Sequence, residues 1–461
     1  MDEIKKTLKD SGLVRWSALL LVSIIMFATY YFYDVFSAIK STLQSEVGLS
    51  NVQYGSIVGA YSLANSFLLM AVLGGIILDK WGIRKTGYIF LSFVVLGTLT
   101  TAYGASDLFK PGAFGYSFMS SFLSRYSPEL KMMLLGRFLF GLGCETIYVT
   151  INKIMVKWFK GKELAFAFGI NLAIARFGTA SALIFSPVLI NAKQGWTTAG
   201  WFGAMLVMIS LLSFTVYTLF DSKYDRQVKE GLSEEKSDEF NFSDILALFK
   251  NPSFMFVTLL CVTFYSAVFP FLAFAPDLLQ NKFGFSGELS GKITSILPFG
   301  TIIFTPLFGW ICDKKGKSAS LMIFGSFLLI LVHLTLSLTT LTPYIPMFVL
   351  GVAFSLVPAA MWPSVAKIVK ENRLGTAYGL MFFIQNFGLW GIPVLMGKVL
   401  DKTNPGITPE MIEAGGAIYD YTMTVLMLVI LGMLGLFFAF LLKREDKRSG
   451  YGLELPNKEG F

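Results

Sequence analysis

The stretch "GIILDKWGIRK" (residues 75–85) follows a long apolar segment, and a shorter copy, "GWICDKKGKS" (residues 309–318), follows another. Both copies read Gly-x-x-x-Asp-Lys-x-Gly and then a basic residue. A polar turn that recurs at corresponding places in an apolar chain indicates two halves built on the same plan.

The composition is that of a chain lying largely within a membrane. Of its 461 residues, 54% are hydrophobic and 15% are charged, whereas soluble domains contain about 25% charged residues. About twelve apolar stretches are each long enough to cross a bilayer as a helix, and they leave no room for a separate soluble domain. We therefore predict an all-α polytopic membrane protein with 12 transmembrane helices in two six-helix bundles, numbered as spans 1 to 12.

A long hydrophilic segment separates the first six spans from the last six. We predict an N-terminal bundle (1–220), a cytoplasmic linker (221–252), a C-terminal bundle (253–442) and a cytoplasmic tail (443–461). Within the linker, "FNFSDILALF" has amphipathic spacing and is expected to lie along the membrane surface. Two parallel six-helix repeats are the layout of a secondary transporter, with its substrate cavity between the halves near mid-membrane.

The net charge of +8 reports topology rather than nucleic-acid binding. Most Lys and Arg residues fall on one side of the membrane when both termini are placed in the cytoplasm, as the positive-inside rule requires. The three cysteines lack metal or disulfide spacing, so no metal or other cofactor is expected. Phosphate-loop and dinucleotide-loop motifs are incomplete, because "DKKGKS" lacks its upstream glycine and "GLGCET" lacks its third. These features argue against an enzyme and against ATP-driven transport.

The loop motif, its echo and the six-plus-six arrangement resemble the major facilitator superfamily. Within it, a closer resemblance is to the branch of lysosomal dipeptide uniporters, through "YDVFSAI", "GRFLFGLGCETIYVTINKIMVKWFKGKELAFAFGINLAIARFG", "YSAVFPFLAF" and "MWPSVAKIVKENRLGTAYGLMFFIQNFG". The resemblance implies two bundles that rock about a central site and pass dipeptides down their gradient. The sequence shows neither a dileucine-type sorting signal nor a glycosylated outer domain, which fits a prokaryotic plasma-membrane relative.

Two opposite charges lie at the centres of spans 4 and 5. Glu145 and Arg176 are 16 and 15 residues from Gly161 in the connecting turn, so both lie roughly 22–24 Å along their helices, near mid-bilayer. A charge exposed to lipid costs several kcal/mol, so each must face protein or water. Three readings stay open: a substrate-binding pair, a structural ion pair, and proton coupling by Glu145. The resemblance implies the first, with Glu145 holding the amino end and Arg176 the carboxylate of a dipeptide.

A peptide cavity also needs aromatic walls and amide groups. Polar and aromatic side chains at suitable depths give the further candidates for substrate binding, each with helix packing as its alternative: Tyr61, Asn65, Asn171, Tyr265, Trp362, Gln385 and Asn386. The single histidine, His333 in span 9, is expected to serve packing.

The polar turns supply candidates for gating. The resemblance implies that charges in these loops form a latch between the bundles in one access state and separate in the other. The candidates are Asp79, Arg84, Lys85, Asp313 and Lys314, together with Arg137 of the span 4 motif "GRFLFGLG". A solvated basic turn is the alternative. Asp34 and Asp277, near the outer ends of spans 1 and 7, are further candidates for an outer gate.

Two other functions remain open at this stage. One is a proton-coupled transporter of another small organic anion or zwitterion, such as an amino acid or a carboxylate. The other is a non-transporting receptor or scaffold, which has little reason to keep ionisable groups in mid-membrane. A small-molecule substrate and the lipid bilayer are the expected partners, and the sequence identifies no accessory subunit.

Overall fold

The computed structural model describes residues 8–160, 162–190, 195–229, 242–370 and 373–456, and these ranges contain helices and no β-strand. Helices satisfy every backbone polar group within one segment, which a chain surrounded by lipid requires. The first half contains Gly12–Asp34 (span 1), Asn51–Leu68 and Met70–Gly104 (spans 2 and 3), Pro128–Phe159 (span 4), Leu164–Ile190 (span 5) and Thr198–Lys229 (span 6). The second half contains Pro252–Phe283 (span 7), Gly287–Thr294 and Ile296–Lys315 (span 8), Ser318–Leu338 (span 9), Tyr344–Ile368 (span 10), Leu374–Thr403 (span 11) and Thr422–Ser449 (span 12).

The short helical segments lie at the ends of these spans or in the loops between them. They are Leu8–Asp10, Ser37–Ile39, Lys40–Val47, Tyr116–Ser120, Phe242–Phe249 and Pro409–Glu413. The helix of span 6 extends to Lys229, and so enters the range predicted for the linker. Residues 230–241 of that linker lie outside the described residues. The amphipathic stretch forms the helix Phe242–Phe249, which contacts spans 7 and 11.

The polar turn at residues 75–85 separates spans 2 and 3. A straight helix over Met70–Gly104 would be roughly 50 Å long, well beyond the hydrocarbon thickness. It breaks at Gly82, where φ is 74°, a conformation that glycine adopts without strain. In the second copy Gly316 has φ 68°, so the conserved spacing of the two motifs places a glycine where each turn needs one.

The break at Gly82 divides the helix Met70–Gly104 between spans 2 and 3, which brings the number of spans to twelve. In the described residues, eleven helical segments are long and apolar enough to cross a membrane on their own, with Met70–Gly104 counted as one of them. The helix Asn51–Leu68, continued by the residues before Gly82, supplies the remaining crossing. Span 2 itself bends at Leu69 (φ 50°), where the Asn65 side chain accepts a hydrogen bond of 2.9 Å from the backbone N–H of Ala71.

Arg137 joins three helices of the first half. Its guanidinium is 1% exposed and donates to the carbonyl oxygens of Phe32 (3.1 Å), Tyr33 (2.8 Å) and Ile57 (3.3 Å). One turn along the same helix, a Cβ on Gly141 would lie 1.9 Å from the carbonyl oxygen of Tyr61. The motif "GRFLFGLG" therefore serves the close packing of spans 1, 2 and 4.

The C-terminal tail packs against the second copy of the polar turn. The Glu454 carboxylate accepts hydrogen bonds from the backbone N–H and hydroxyl of Ser320, at 2.8 and 2.7 Å, and lies 3.6 Å from the Lys443 ammonium. Partial burial raises the pKa of Glu454, but the Ser320 hydrogen bonds and the Lys443 charge outweigh it, so the net pKa lies below its ordinary value. The tail therefore holds spans 9 and 12 together through an ionised carboxylate.

We predict that Glu454→Gln lowers the free energy of unfolding by about 1 kcal/mol, a figure reduced for solvent screening. Because the pKa of Glu454 is lowered in the folded protein, its contribution is full above the unfolded value of about 4.3. The contribution disappears as the pH falls through the folded pKa. Thermal unfolding in detergent at pH 7 and at pH 3.5 measures this, with the exposed Glu46→Gln as control. Equal melting temperatures for Glu454→Gln and Glu46→Gln at pH 7 would contradict the prediction.

Candidate functional site

A cavity of about 620 Å³, its open mouth included, lies between the two halves of the molecule. Five spans line it, three from the first half and two from the second. The lining residues are Tyr30, Tyr33, Tyr61, Glu145, Tyr148, Phe269, Phe382, Gln385, Asn386 and Leu389.

Glu145 is the acidic residue among the side chains that line this cavity. The Tyr61 hydroxyl lies beside its carboxylate, and none of the ion pairs among the described residues includes Glu145. A carboxylate that faces a cavity without a fixed counter-charge is suited to bind a cation from solution. The expectation that Glu145 faces protein or water in mid-membrane agrees with this position.

Arg176 lies behind the wall of the cavity. Its guanidinium carbon is 5.6 Å from the ring centroid of Tyr30, 5.4 Å from that of Phe269 and 4.9 Å from that of Phe354. The described residues contain no ion pair between Arg176 and Glu145, so the structural ion pair, one of the three readings of the sequence, is absent here. The two charges occupy separate parts of one region.

Three further candidates line the cavity, namely Tyr61, Gln385 and Asn386. Gln385 accepts a 3.3 Å hydrogen bond from the Cys261 thiol. The Asn386 amide nitrogen donates to the carbonyl oxygen of Phe382 at 2.9 Å, while its amide oxygen is buried without a protein partner. This oxygen is available to a hydrogen-bond donor on a ligand.

Tyr265 and Trp362 lie one layer outside the cavity. The Trp362 indole donates a 3.0 Å hydrogen bond to the Tyr265 hydroxyl. The Trp362 ring stacks on Phe382, with centroids 5.0 Å apart, and Phe382 is itself part of the cavity wall. Neither Tyr265 nor Trp362 is among the residues that line this cavity, and both support its wall from behind.

Asn65 and Asn171 are also displaced from the predicted cavity wall. Asn65 is fully buried at the bend in span 2, where it bonds Ala71. Asn171 accepts a 2.9 Å hydrogen bond from the Ser23 hydroxyl and links span 5 to span 1. A polar side chain at the right depth was expected to face the cavity, but each of these amides serves helix packing instead.

Six lining residues were not anticipated: Tyr30, Tyr33, Tyr148, Phe269, Phe382 and Leu389. Tyr148 could have been found, because it lies three residues after Glu145 and so shares its helix face. Tyr30 and Tyr33 belong to the aromatic run "TYYFYD". The two Phe residues and the leucine carry no sequence signal that separates a cavity wall from a lipid-facing side chain.

The two halves are joined on the side opposite to the termini. Lys40, just after span 1, pairs with Asp277 of span 7 at 2.7 Å, and both side chains are 0% exposed. The Asn51 amide donates to Asp401 at 2.8 Å, and the Tyr54 hydroxyl donates to the carbonyl oxygen of Ala273 at 2.9 Å. Each of these contacts connects the first half to the second, so the cavity is closed on this side.

The charged loops on the side of the termini pair within the first half. Asp79 contacts Lys153 at 2.6 Å. Lys157 contacts Asp221 and Asp225 at 2.5 and 2.6 Å, and Arg84 contacts the same two carboxylates.

The other four gating candidates differ in their surroundings. Lys85 is exposed. In the second half, Asp313 is partly buried, and the Lys314 ammonium lies 4.7 Å from the Trp310 ring centroid. Arg137, grouped with these residues in the sequence, bonds backbone of its own half. The described pairs on this side thus hold one half together and do not connect the two.

Comparison with known proteins agrees with this architecture. The chain is 31% identical over 403 residues to the lysosomal dipeptide transporter MFSD1 of Homo sapiens, covering 84% of this chain and 80% of that protein. It is 24% identical over 395 residues to the hexuronate transporter of Bacillus subtilis (strain 168), covering 82% and 86%. The fold matches a bacterial homologue of the human lysosomal transporter Spinster, solved in an inward-facing and occupied conformation, with a TM-score of 0.67 at 16% identity over 94% and 98% of the chains.

The family assignment follows from the sequence match and from the arrangement of the spans. The Major Facilitator Superfamily matches residues 19–392, which is most of the chain. The twelve spans, the cavity between two halves and the repeated polar turn are all features of the structure described above. The chain belongs to the major facilitator superfamily, and it is a multi-pass membrane transporter rather than an enzyme.

Proposed function

We propose that this transporter moves short peptides, specifically dipeptides, down their gradient by alternating access. The observation that carries the proposal is the Glu145 carboxylate, which faces a cavity between the halves without a fixed counter-charge. The 31% identity to a lysosomal dipeptide transporter supports the choice of substrate. The distribution of Lys and Arg supports cytoplasmic termini, and we propose a prokaryotic plasma membrane as the host membrane.

The site would recognise the two ends of a dipeptide and tolerate its side chains. Glu145 attracts the free ammonium group, and Arg176 offers a planar fork of donors that matches a carboxylate. Gln385 and Asn386 meet the peptide unit, and the aromatic walls accept varied side chains. Two charged ends at a fixed separation would reject longer peptides, because both ends of a longer chain cannot reach their partners.

The contacts between the halves support an inward-facing arrangement. With the termini in the cytoplasm, the buried Lys40–Asp277 pair seals the outer side. The loop charges on the inner side, Asp79, Arg84 and Lys85, would change partners when that side closes. Alternating access then consists of exchanging contacts at one end of the halves for contacts at the other.

We predict that Glu145→Gln and Arg176→Gln each reduce uptake of a labelled dipeptide into proteoliposomes by at least about ten-fold. Each substitution removes a charge-assisted hydrogen bond worth about 1.5–3 kcal/mol. The loss in Glu145→Gln should be smaller for a dipeptide with an acetylated amino end, and the loss in Arg176→Gln smaller for a C-terminal amide. Glu129→Gln, at the start of the same span as Glu145, is the control. Wild-type uptake no faster than that of Arg176→Gln would contradict the proposal.

A second function is favoured by the same carboxylate. An unpaired carboxylate in a cavity can carry a proton, and a relative is named a hexuronate transporter. The alternative is therefore a proton-coupled transporter of another small organic anion or zwitterion, such as an amino acid or a carboxylate.

Uniport predicts that dipeptide uptake at equal internal and external pH matches uptake under an inward proton gradient, within about two-fold. An ionophore that collapses the gradient should then change nothing. Proton coupling would instead give uptake that rises with the gradient, and this dependence would disappear in Glu145→Gln, because the amide cannot bind a proton. That result would replace uniport with the alternative.

Lys40→Ala is expected to open the outer side. It leaves the Asp277 carboxylate buried without its counter-charge, which costs about 3–5 kcal/mol. In a background without the three native cysteines, Ser37→Cys, buried beside this pair, should react slowly with a membrane-impermeant maleimide. Adding Lys40→Ala should accelerate labelling at least about ten-fold. Lys282→Ala, whose ammonium bonds only backbone carbonyls of its own half among the described residues, is the control, and equal rates in both would refute the gate.

A further inference from the structure

Arg176 is held by aromatic rings from both halves of the molecule. Tyr30 belongs to span 1, whereas Phe269 and Phe354 belong to spans 7 and 10. All three ring centroids lie within 6 Å of the guanidinium carbon. A cation at this distance from a ring is attracted to it, and more strongly where water is excluded. We call Tyr30, Phe269 and Phe354 the aromatic box.

The box leaves the hydrogen-bonding capacity of Arg176 unused. Among the described residues, no hydrogen bond joins the guanidinium to another side chain or to the backbone, although the group carries five N–H donors. Ring contacts hold a cation without consuming those donors. Arg137 shows the contrast, because its donors bind three carbonyl oxygens. The Arg176 donors remain available to an anion.

Glu145 lies in the same region as Arg176. Tyr30 lines the cavity together with Glu145, and its ring centroid is 5.6 Å from the Arg176 guanidinium carbon. Opposite charges in a medium of low dielectric constant attract strongly. The structure nevertheless keeps them apart, with Glu145 in the cavity and Arg176 among the rings. An ion pair between them would occupy both binding groups at once.

We propose that Phe269 and Phe354 are positioning residues that hold Arg176 away from Glu145 and keep its donors free for the substrate carboxylate. The proposal rests on the dipeptide function. Since both rings come from the second half and Arg176 from the first, the anion-binding end of the site is complete only while the halves are in contact here. Phe354 is 3% exposed and outside the cavity lining, so it reaches the substrate indirectly, through Arg176 and through the cavity-lining Phe269, whose ring centroid is 5.3 Å from its own.

Phe354→Leu tests the proposal, because leucine keeps an apolar side chain in place and removes the ring. We expect purified Phe354→Leu to bind alanylalanine about five- to ten-fold more weakly than the wild type. Binding of the C-terminal amide of the same peptide should weaken by a smaller factor, because the amide keeps the ammonium group that Glu145 binds but has no carboxylate for Arg176. Phe354→Tyr should restore binding to within about two-fold. The control is Phe348→Leu, which lies on the same span with its ring 49% exposed.

The selectivity between the two peptides separates positioning from general damage. Equal losses for alanylalanine and its amide, or a failure of Phe354→Tyr to restore binding, would overturn the proposal. A change in the ratio of the two affinities that is restored by tyrosine would support it.

A measurement without substrate tests the contact between Arg176 and the aromatic box even if the wild type binds no dipeptide. Melting temperatures of Arg176→Gln, Phe354→Leu and the double variant form a double-mutant cycle. If the aromatic box holds Arg176, the melting temperature of the double variant should fall by less than the sum of the two single decreases, because each single change already removes the same contact. Additive losses would overturn the box. Coupling in a protein that binds no dipeptide would retain the box and reject the peptide function.

Discussion

A charge placed in the interior of this molecule has to be compensated, because neither lipid nor packed apolar side chains replace its hydration. The described spans compensate their charges in four ways. Arg137 binds backbone carbonyls, and Lys40 pairs with Asp277. Glu145 faces the cavity, and Arg176 lies among aromatic rings. The charges of Arg137 and of the Lys40–Asp277 pair are satisfied by partner groups within the protein. Glu145 and Arg176 keep hydrogen-bonding capacity for a ligand. This difference separates residues that hold the fold from residues suited to bind substrate.

The same constraint explains how the halves meet. Burying Lys40 together with Asp277 is favourable only while the first and second halves are in contact, because separation would require both groups to be hydrated again. On the opposite side, the described pairs between Asp79 and Lys153, and around Asp221, lie within the first half. These pairs therefore do not join the halves on that side. The described charge pairs therefore join the halves at one end of the molecule, through Lys40 and Asp277, and stay within one half around Asp221 at the other.

Much of the site followed from counting along the chain. Nearly equal distances from Gly161 placed Glu145 and Arg176 at similar depth, and both lie in the region of Tyr30, which lines the cavity with Glu145 and whose ring contacts Arg176. Depth was predictable because the rise per residue of a helix is fixed. Asn65 and Asn171 satisfied the same test of depth and polarity but bond Ala71 and Ser23. Their direction depends on helix rotation and on a bend at Leu69, which depth alone does not reveal.

The amino-acid sequence by itself determined the class of the protein, the number of spans, the two-half plan and the charged residues at mid-membrane. These follow from apolar length, from charge placement and from a turn that needs glycine, all of which are local properties of the chain. Only the tertiary structure decided that Glu145 faces the cavity, that Arg176 is held by Tyr30, Phe269 and Phe354, and that Lys40 meets Asp277. Each of those facts depends on how helices distant in sequence rotate and pack against one another. Rotating one helix about its axis changes which of its side chains face lipid, the cavity or the interface between the halves, although its composition stays the same.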